Sequence, residues 1–278
     1  MPPWIIREKL LQNLWMEAVG VAAIAFGGLW TGVLFSRRGK TAGLWVCALA
    51  VAATFGLGAL RWSSGGSDGI AFALAGGRVK FVILSFVIPM GLAAVRPYLP
   101  YRAERWAVVC LTGAAMALFG VIPCVGTAMA ATRLAAAGSY FDADGVCRQS
   151  TSFTCGPAAA ATALRRLGVD VSEGRLAGLS RSCPFIGTAE YDLYWGIQAA
   201  AGERVRCRYV RGRVLPVLAD GEVMLVMMPQ SRVMNHCVAV VAMTEAAVVV
   251  ADPSEGLLML PRGYLEKHWT GSAIVMSK

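Results

Sequence analysis

Apolar residues are unevenly distributed along this chain. Up to about residue 137 they form long stretches with few charges, and beyond residue 138 they come in short runs broken by polar residues. Four long stretches, residues 17–35, 41–60, 81–98 and 107–131, predict membrane-spanning helices. A span needs roughly 20 apolar residues, and the third stretch has the shortest clean apolar core. Pro123 predicts a kink in the fourth. Small residues crowd the second and fourth stretches, which suits close helix packing in lipid. Residues 1–16 alternate apolar and polar character and read as an amphipathic lead-in. The first apolar run starts late and three more follow it, so it reads as a retained helix and not as a secretory signal. Trp4, Trp15, Trp30, Trp62 and Trp106 lie near predicted helix ends, where tryptophan serves either the membrane interface or packing. Residues 61–80, with WSSGGSDG and AGGR, read as a flexible connection.

From Gly138 the texture is that of a soluble domain of ordinary size. Residues 150–154 are polar and loop-like, and CGPAAAATALRRLG then predicts a helix starting at or beside Cys155. Pro157 suits its first turn and Gly168 its stop. Short strand-like runs follow at 205–210, 223–228, 236–243, 246–251 and 257–260. A helical part followed by a run of strands predicts an α+β domain. The expected organisation is therefore a transmembrane helical domain over residues 1–137 and an α+β domain over residues 138–278.

Composition agrees with this division. A chain of 278 residues with 56% hydrophobic and 15% charged residues is too apolar for an average water-soluble protein. The net charge of +9 raises nucleic acid as a partner. The basic residues sit mostly in short loops beside apolar segments, as Arg37, Arg38 and Lys40 do, with no basic stripe interleaved with aromatics. The bilayer is the expected partner and nucleic acid is not. Four spans put both termini on one side. The short loops at 36–40 and 96–105 carry three basic residues each, which places them in the cytoplasm and the C-terminal domain outside it. The expected location is a bacterial inner membrane with the C-terminal domain on the non-cytoplasmic side.

Of the eight cysteines, Cys47, Cys110 and Cys124 lie within apolar runs and read as small apolar fillers. No CxxC spacing occurs, so no structural zinc site is implied. Cys147, Cys183, Cys207 and Cys237 are an even number that would allow two disulfides in an oxidising compartment.

The fifth cysteine of the C-terminal half, Cys155, is the candidate nucleophile. A thiol attacks as its thiolate, and the unpaired N–H groups and dipole at a helix N-terminus stabilise that anion. Gln149, six residues upstream, could join the Cys155 backbone N–H in holding an oxyanion. The chain has two histidines. His268, in EKHWTG, reads as a surface residue, which leaves His236, at the start of HCVAVVAM, as the candidate base. Asp252 closes the next strand-like run, AAVVVADPSEG. In a hairpin turning near Thr244, His236 and Asp252 would face each other, or nearly so, across the ladder. Opposed Cβ atoms lie about 4.5–5.5 Å apart, close enough for a carboxylate to hold the imidazole in one tautomer.

The segments QSTSFTCGPAAAATALRRLG, GTAEYDLYWGIQAAAG, HCVAVV and ADPSEG together resemble the bacteriocin-leader, double-glycine cysteine peptidases of the papain-like clan, over about residues 146–260. The resemblance implies a papain-like fold, with Cys155 as nucleophile, His236 as base, Asp252 as its partner and Gln149 as oxyanion donor. It implies cleavage of a peptide or protein precursor, with Gly-Gly before the cut, and no metal or organic cofactor. Here the peptidase segment follows the apolar stretches, and no GxxxxGK[ST] phosphate loop is present. A separate exporter or a homo-oligomer stays open as a partner. A papain-like amidase or acyltransferase, as in phytochelatin synthase, and a non-catalytic peptide-binding sensor are the alternatives. Phe185, Tyr191, Tyr194 and Trp195 would narrow a groove to chains without side chains if their stretch packs beside the nucleophile helix. Tyr191, Tyr194 and Trp195 are accordingly the candidate substrate-binding residues, the alternative being that they fill the core.

Overall fold

The computed structural model describes residues 3–63, 79–136, 138–231 and 235–278, with the backbone alone for residues 3–14, 60–63, 132, 135 and 136. The connection expected at 61–80 lies largely outside the described residues, as do the side chains of Trp4 and Trp62. The chain divides into two compact units, the second beginning at Ala130.

Helices α1 (Pro3–Arg37), α2 (Lys40–Ser63) and α3 (Val79–Val95) are followed by α4 (Arg102–Ala115), a π-helical turn (Met116–Val121) and α5 (Ile122–Ala136), of which the residues up to Met129 belong to the first unit. Among the described residues, four segments are long and apolar enough to cross a membrane: Trp15–Arg37, Lys40–Ala59, Val79–Tyr98 and Arg102–Ala131. The lead-in is continuous with the first span, within α1. Helices α1 and α3 meet closely where glycines remove the side chain. A Cβ at Gly28 or Gly32 would run into the backbone oxygen of Phe86 or Met90, and one at Gly91 would lie 2.6 Å from the Ala50 Cβ. Close approach through small residues is how helices gain contact where lipid offers no hydrophobic drive. These contacts draw on glycines of the first and third stretches as well as on alanine of the second. The irregularity expected at Pro123 takes the form of the π turn just before it, where the Ile122 N–H reaches the Ala117 carbonyl. Pro123 has no N–H to donate, so the helical ladder is interrupted at this point in any case.

The second unit holds a two-stranded β1 (Tyr140–Phe141) and β2 (Cys147–Arg148), then helices α6 (Cys155–Arg166), α7 (Glu173–Leu179) and α8 (Glu190–Ala201). Strands β3 (Arg206–Arg211), β4 (Val223–Pro229), β5 (Asn235–Met243), β6 (Ala247–Asp252) and β7 (Gly256–Pro261) follow, then α9 (Arg262–His268) and β8 (Ser272–Ser277). The six long strands form one antiparallel sheet in the order β3-β8-β4-β5-β6-β7. Strand β8, absent from the sequence reading, lies between β3 and β4. Its apolar core, AIVM, is a short continuous run without alternation, which periodicity alone cannot assign.

Alternate residues on one face of the sheet (Met224, Val226, Val238, Val240, Val248, Val250, Ala273 and Val275) form a core cluster with Leu215 and with Leu265 of α9. The intervening residues Leu225, Ala239, Ala251 and Ile274 are also fully buried, so both faces of the central strands are covered. Helix α6 packs on β4 and β5. Its buried alanines, Ala158 to Ala161 and Ala163, have little side chain to hold it off its neighbours. Gly168, at φ +77°, ends the helix. Its N–H reaches the Arg165 carbonyl and the Val169 N–H reaches the Leu164 carbonyl, a Schellman closure.

Candidate active site

Cys155 is the first residue of α6, and His236 and Asp252 come from neighbouring strands β5 and β6. The hairpin joining those strands turns at Thr244, whose N–H reaches the Ala247 carbonyl at 2.8 Å. A register shift between Val240 and Ala242 separates the two ends of the ladder, and pairing runs through Ala239↔Ala251. Continued by one more pair, that register sets Asp252 beside Val238, so His236 and Asp252 are diagonal and not directly opposed. They keep the same face, and the imidazole spans the offset: His236 Nε2 lies 2.8 Å from Asp252 Oδ1. The same oxygen accepts the backbone N–H groups of Ser254 at 2.7 Å and Glu255 at 3.3 Å. An aspartate bonding the main chain two and three residues ahead fixes its own rotamer in a turn.

The imidazole also hydrogen-bonds the Cys155 thiol. With Nε2 committed to Asp252, that bond falls to Nδ1. The Cys155 sulfur further accepts the backbone N–H groups of Cys237 and Gly156. Burial alone would raise the Cys155 pKa. The His236 hydrogen bond, the two amides and the imidazolium charge outweigh it and hold the thiol below its ordinary 9.0. Burial alone would likewise pull His236 down. Its hydrogen bonds to Asp252 and Cys155, with their negative charges, raise it from 6.5 to about 10. Asp252 is held below 3.8: burial opposes this, and His236 and the Ser254 and Glu255 amides prevail. Each shift favours the charged form, a thiolate beside an imidazolium oriented by a carboxylate. A thiolate so held can attack an electrophilic carbon, and the imidazolium can protonate the leaving group.

The segment carrying Gln149 is tied to the Asp252 turn. The Gln149 N–H donates to the Pro253 carbonyl at 3.1 Å. The Arg148 guanidinium donates to the Ser254 carbonyl and lies 3.7 Å from Asp142 Oδ2. Gly256, at φ +101°, closes that turn, and a Cβ there would come within 2.8 Å of Arg148 Nη1. Sequence reasoning missed Arg148 and the Cys237 amide, because both roles depend on main-chain placement that no motif records.

Of the α8 residues, Leu193 stands against the nucleophile helix: a Cβ on Gly156 would meet Leu193 Cδ2 at 3.2 Å and Thr188 Cβ at 3.6 Å. The Tyr194 hydroxyl points instead to the Cys207 carbonyl, at 3.4 Å, and accepts from Gln198 Nε2. Tyr191 and Tyr194 each meet the half-exposed Trp195 edge-on. The structure thus groups the three aromatics with one another and brings Leu193 and Thr188, which the sequence reading did not single out, against Gly156. Cys147, Cys183, Cys207 and Cys237 are not joined in disulfides. Among the described residues no cluster of His, Cys, Asp and Glu has a metal-binding arrangement.

Residues 144–278 match the model of the peptidase C39 family. An uncharacterized protein of Methanothermobacter marburgensis is 32% identical over 140 residues, covering 50% of this chain and 93% of its own. An uncharacterized protein of Methanothermobacter thermautotrophicus is 34% identical over 130 residues, covering 47% and 86%. Among solved structures, the peptidase domain of Streptococcus ComA, a bifunctional ABC transporter, is similar at 18% identity and a TM-score of 0.40, covering 47% of this chain and 95% of its own. A double glycine motif protease from an AMS/PCAT transporter, solved with its leader peptide, is similar at 14% identity and a TM-score of 0.40, covering 51% and 96%. The family match over residues 144–278 makes the C-terminal unit a cysteine peptidase domain, and the chain belongs to the peptidase C39 family.

Proposed function

We propose that this chain is a membrane-anchored cysteine peptidase that cleaves a peptide or protein precursor through Cys155, His236 and Asp252, with Gln149 as oxyanion donor. The observation that carries the reading is the single imidazole bonded at once to the Asp252 carboxylate, at 2.8 Å, and to the Cys155 thiol. The Cys155 sulfur attacks the scissile carbonyl carbon, and the carbonyl electrons move onto oxygen. The Cys155 backbone N–H and the Gln149 side-chain amide receive that oxyanion. Collapse breaks the C–N bond, the His236 imidazolium protonates the departing amine, and a thioester remains on Cys155. Neutral His236 then takes a proton from water as the water attacks the thioester, and Cys155 is released.

The double-glycine resemblance supports Gly-Gly before the cut. Leu193 and Thr188 against Gly156 supply bulk beside the nucleophile helix, and Tyr191, Tyr194 and Trp195 are proposed to line the groove further along α8. A peptide series with Gly, Ala or Leu at the two positions before the cut should be cleaved fastest with Gly-Gly and slowest with Leu, a discrimination of about tenfold to a few hundredfold. Equal cleavage of all three would remove the narrow groove. Mass spectrometry of membrane extracts should show a precursor accumulating with Cys155→Ala, and an unchanged peptide profile would remove the precursor-processing role.

The peptidase unit is proposed to face away from the cytoplasm. The basic residues of the two short loops, Arg37, Arg38 and Lys40 in one and Arg96, Arg102 and Arg105 in the other, support this. A C-terminal alkaline phosphatase fusion should be active and a C-terminal green fluorescent protein fusion dark. The opposite pair of signals would reverse the orientation.

A further inference from the structure

Glu173, the first residue of α7, is fully buried, although it carries a carboxyl group. Burying such a group is costly unless it is well bonded. Its Oε1 accepts two hydrogen bonds from one residue, the Ser150 N–H at 2.9 Å and the Ser150 hydroxyl at 3.0 Å. Its own N–H donates to the Ser139 hydroxyl at 2.6 Å. Ser150 directly follows Gln149, whose N–H is held on the other side by the Pro253 carbonyl. The main chain at Gln149 is therefore clamped from both directions, by the turn that carries Asp252 and by the buried carboxyl group. The Gln149 side chain has no such anchor at its oxygen: Oε1 is buried without a hydrogen-bond partner among the described residues. Its aim must therefore come from the main chain that bears it.

We propose that Glu173 is a positioning residue for the oxyanion side of the site, holding Ser150 by both its N–H and its hydroxyl so that the neighbouring Gln149 amide is presented to the substrate carbonyl. The inference rests on the assignment of Gln149 as oxyanion donor. A covalent interaction made only with an acyl substrate separates this role from general support of the fold. Attack of Cys155 on an ester carbonyl builds negative charge on oxygen, whereas displacement of iodide from iodoacetamide by the same sulfur builds none there.

The full-length protein, in detergent or in lipid discs, is given the N-acetyl-Gly-Gly p-nitrophenyl ester in single turnover. The Cys155 sulfur bonds to the carbonyl carbon, the ester C–O bond breaks and p-nitrophenolate leaves. The rate of its release is compared with the rate of Cys155 carboxamidomethylation by iodoacetamide. Glu173→Leu is expected to slow acylation about tenfold or more, toward the loss in Gln149→Ala, with alkylation unchanged. Glu173→Gln keeps an oxygen able to accept both Ser150 bonds and should retain most of the acylation rate. In a Gln149→Ala background, Glu173→Leu should cost nothing further, because the donor it aims is gone. Ser150→Ala, at an exposed position, removes one of the two bonds and should lower acylation in the same direction by less. Normal acylation in Glu173→Leu, equal loss of acylation and alkylation, or full multiplication of the losses in the double variant would overturn the inference. Should Glu173→Leu not fold, an unchanged acylation-to-alkylation ratio in Ser150→Ala overturns it instead. Failure of the ester to acylate Cys155 in the unmodified protein would remove the assignment of Cys155 as nucleophile, and this inference with it.

Discussion

Replacing Cys155 by alanine is expected to lower peptide-bond cleavage by on the order of 10⁴-fold or more while leaving the fold intact. The loss follows from removal of the one sulfur that the site stabilises as an anion. Cys155 accepts a bond from His236 and from the Cys237 and Gly156 amides, and its pKa falls below 9.0 against the pull of burial. At Cys147, Cys207 and Cys237 burial prevails instead. Burial raises Cys147 to about 12 and Cys207 to about 11, and it drives Cys237 well above its ordinary value. Cys183 is fully buried. Iodoacetamide at neutral pH should therefore modify Cys155 before any other thiol of this unit, since alkylation follows the thiolate fraction and access. The structural cost of the substitution is small. Cys155 is partly exposed, and the α6 residues that hold the helix to the sheet are the buried Ala158 to Leu164. Circular dichroism and thermal unfolding should match those of the unmodified protein. Full activity in Cys155→Ala, with labelling at Cys147 or Cys183 instead, would remove Cys155 from the mechanism.

What the sequence revealed and what it concealed differ by the range of the interaction. Helix α6 was legible because its signals are local: Pro157 in the first turn, a run of small apolar residues, and Gly168 at φ +77° where the chain must leave the helix. The four apolar segments were legible because a bilayer requires length and composition, both of which are counted directly. Strand β8 was not, because its place between β3 and β4 depends on pairing with residues more than forty positions away, and AIVM carries no period of two. The hairpin shows both sides of this. Its turn at Thr244 was readable, but the register shift between Val240 and Ala242 was not, and it converts a directly opposed pair into a diagonal one. The histidine and aspartate still meet because the imidazole is long enough to span the offset. Glu173 and Arg148 were invisible for a further reason. Each bonds main-chain groups, Ser150 N–H in one case and Ser254 C=O in the other, and a main-chain group leaves no mark on residue identity.

His236→Ala is expected to cost nearly as much as Cys155→Ala, because in the proposed mechanism the imidazole both stabilises the thiolate and delivers the proton to the leaving amine. Asp252→Asn should cost far less, on the order of tenfold to a hundredfold, since papain-like sites also operate with an Asn in this position. An asparagine oxygen can still accept the Nε2–H, so the tautomer and the ring orientation survive, and only the charge is lost. That lost charge makes the pH profile the sharper measurement. Cys155 is lowered from 9.0 and His236 is raised to about 10, so the reactive thiolate–imidazolium form lies between the two transitions. Activity should rise with pH as Cys155 loses its proton and fall again as the imidazolium loses its own near pH 10. The Asp252 hydrogen bond and charge are among the causes that raise His236, so Asp252→Asn should move the alkaline fall to lower pH. The stability linkage has the same sign. A histidine whose folded pKa is raised contributes stability in full below its unfolded value of 6.5, and that contribution disappears as pH climbs through about 10. In Asp252→Asn it should disappear earlier. An alkaline limb that stays in place in Asp252→Asn, in both cleavage and iodoacetamide kinetics, would mean that the group titrating there is not the His236 held by Asp252.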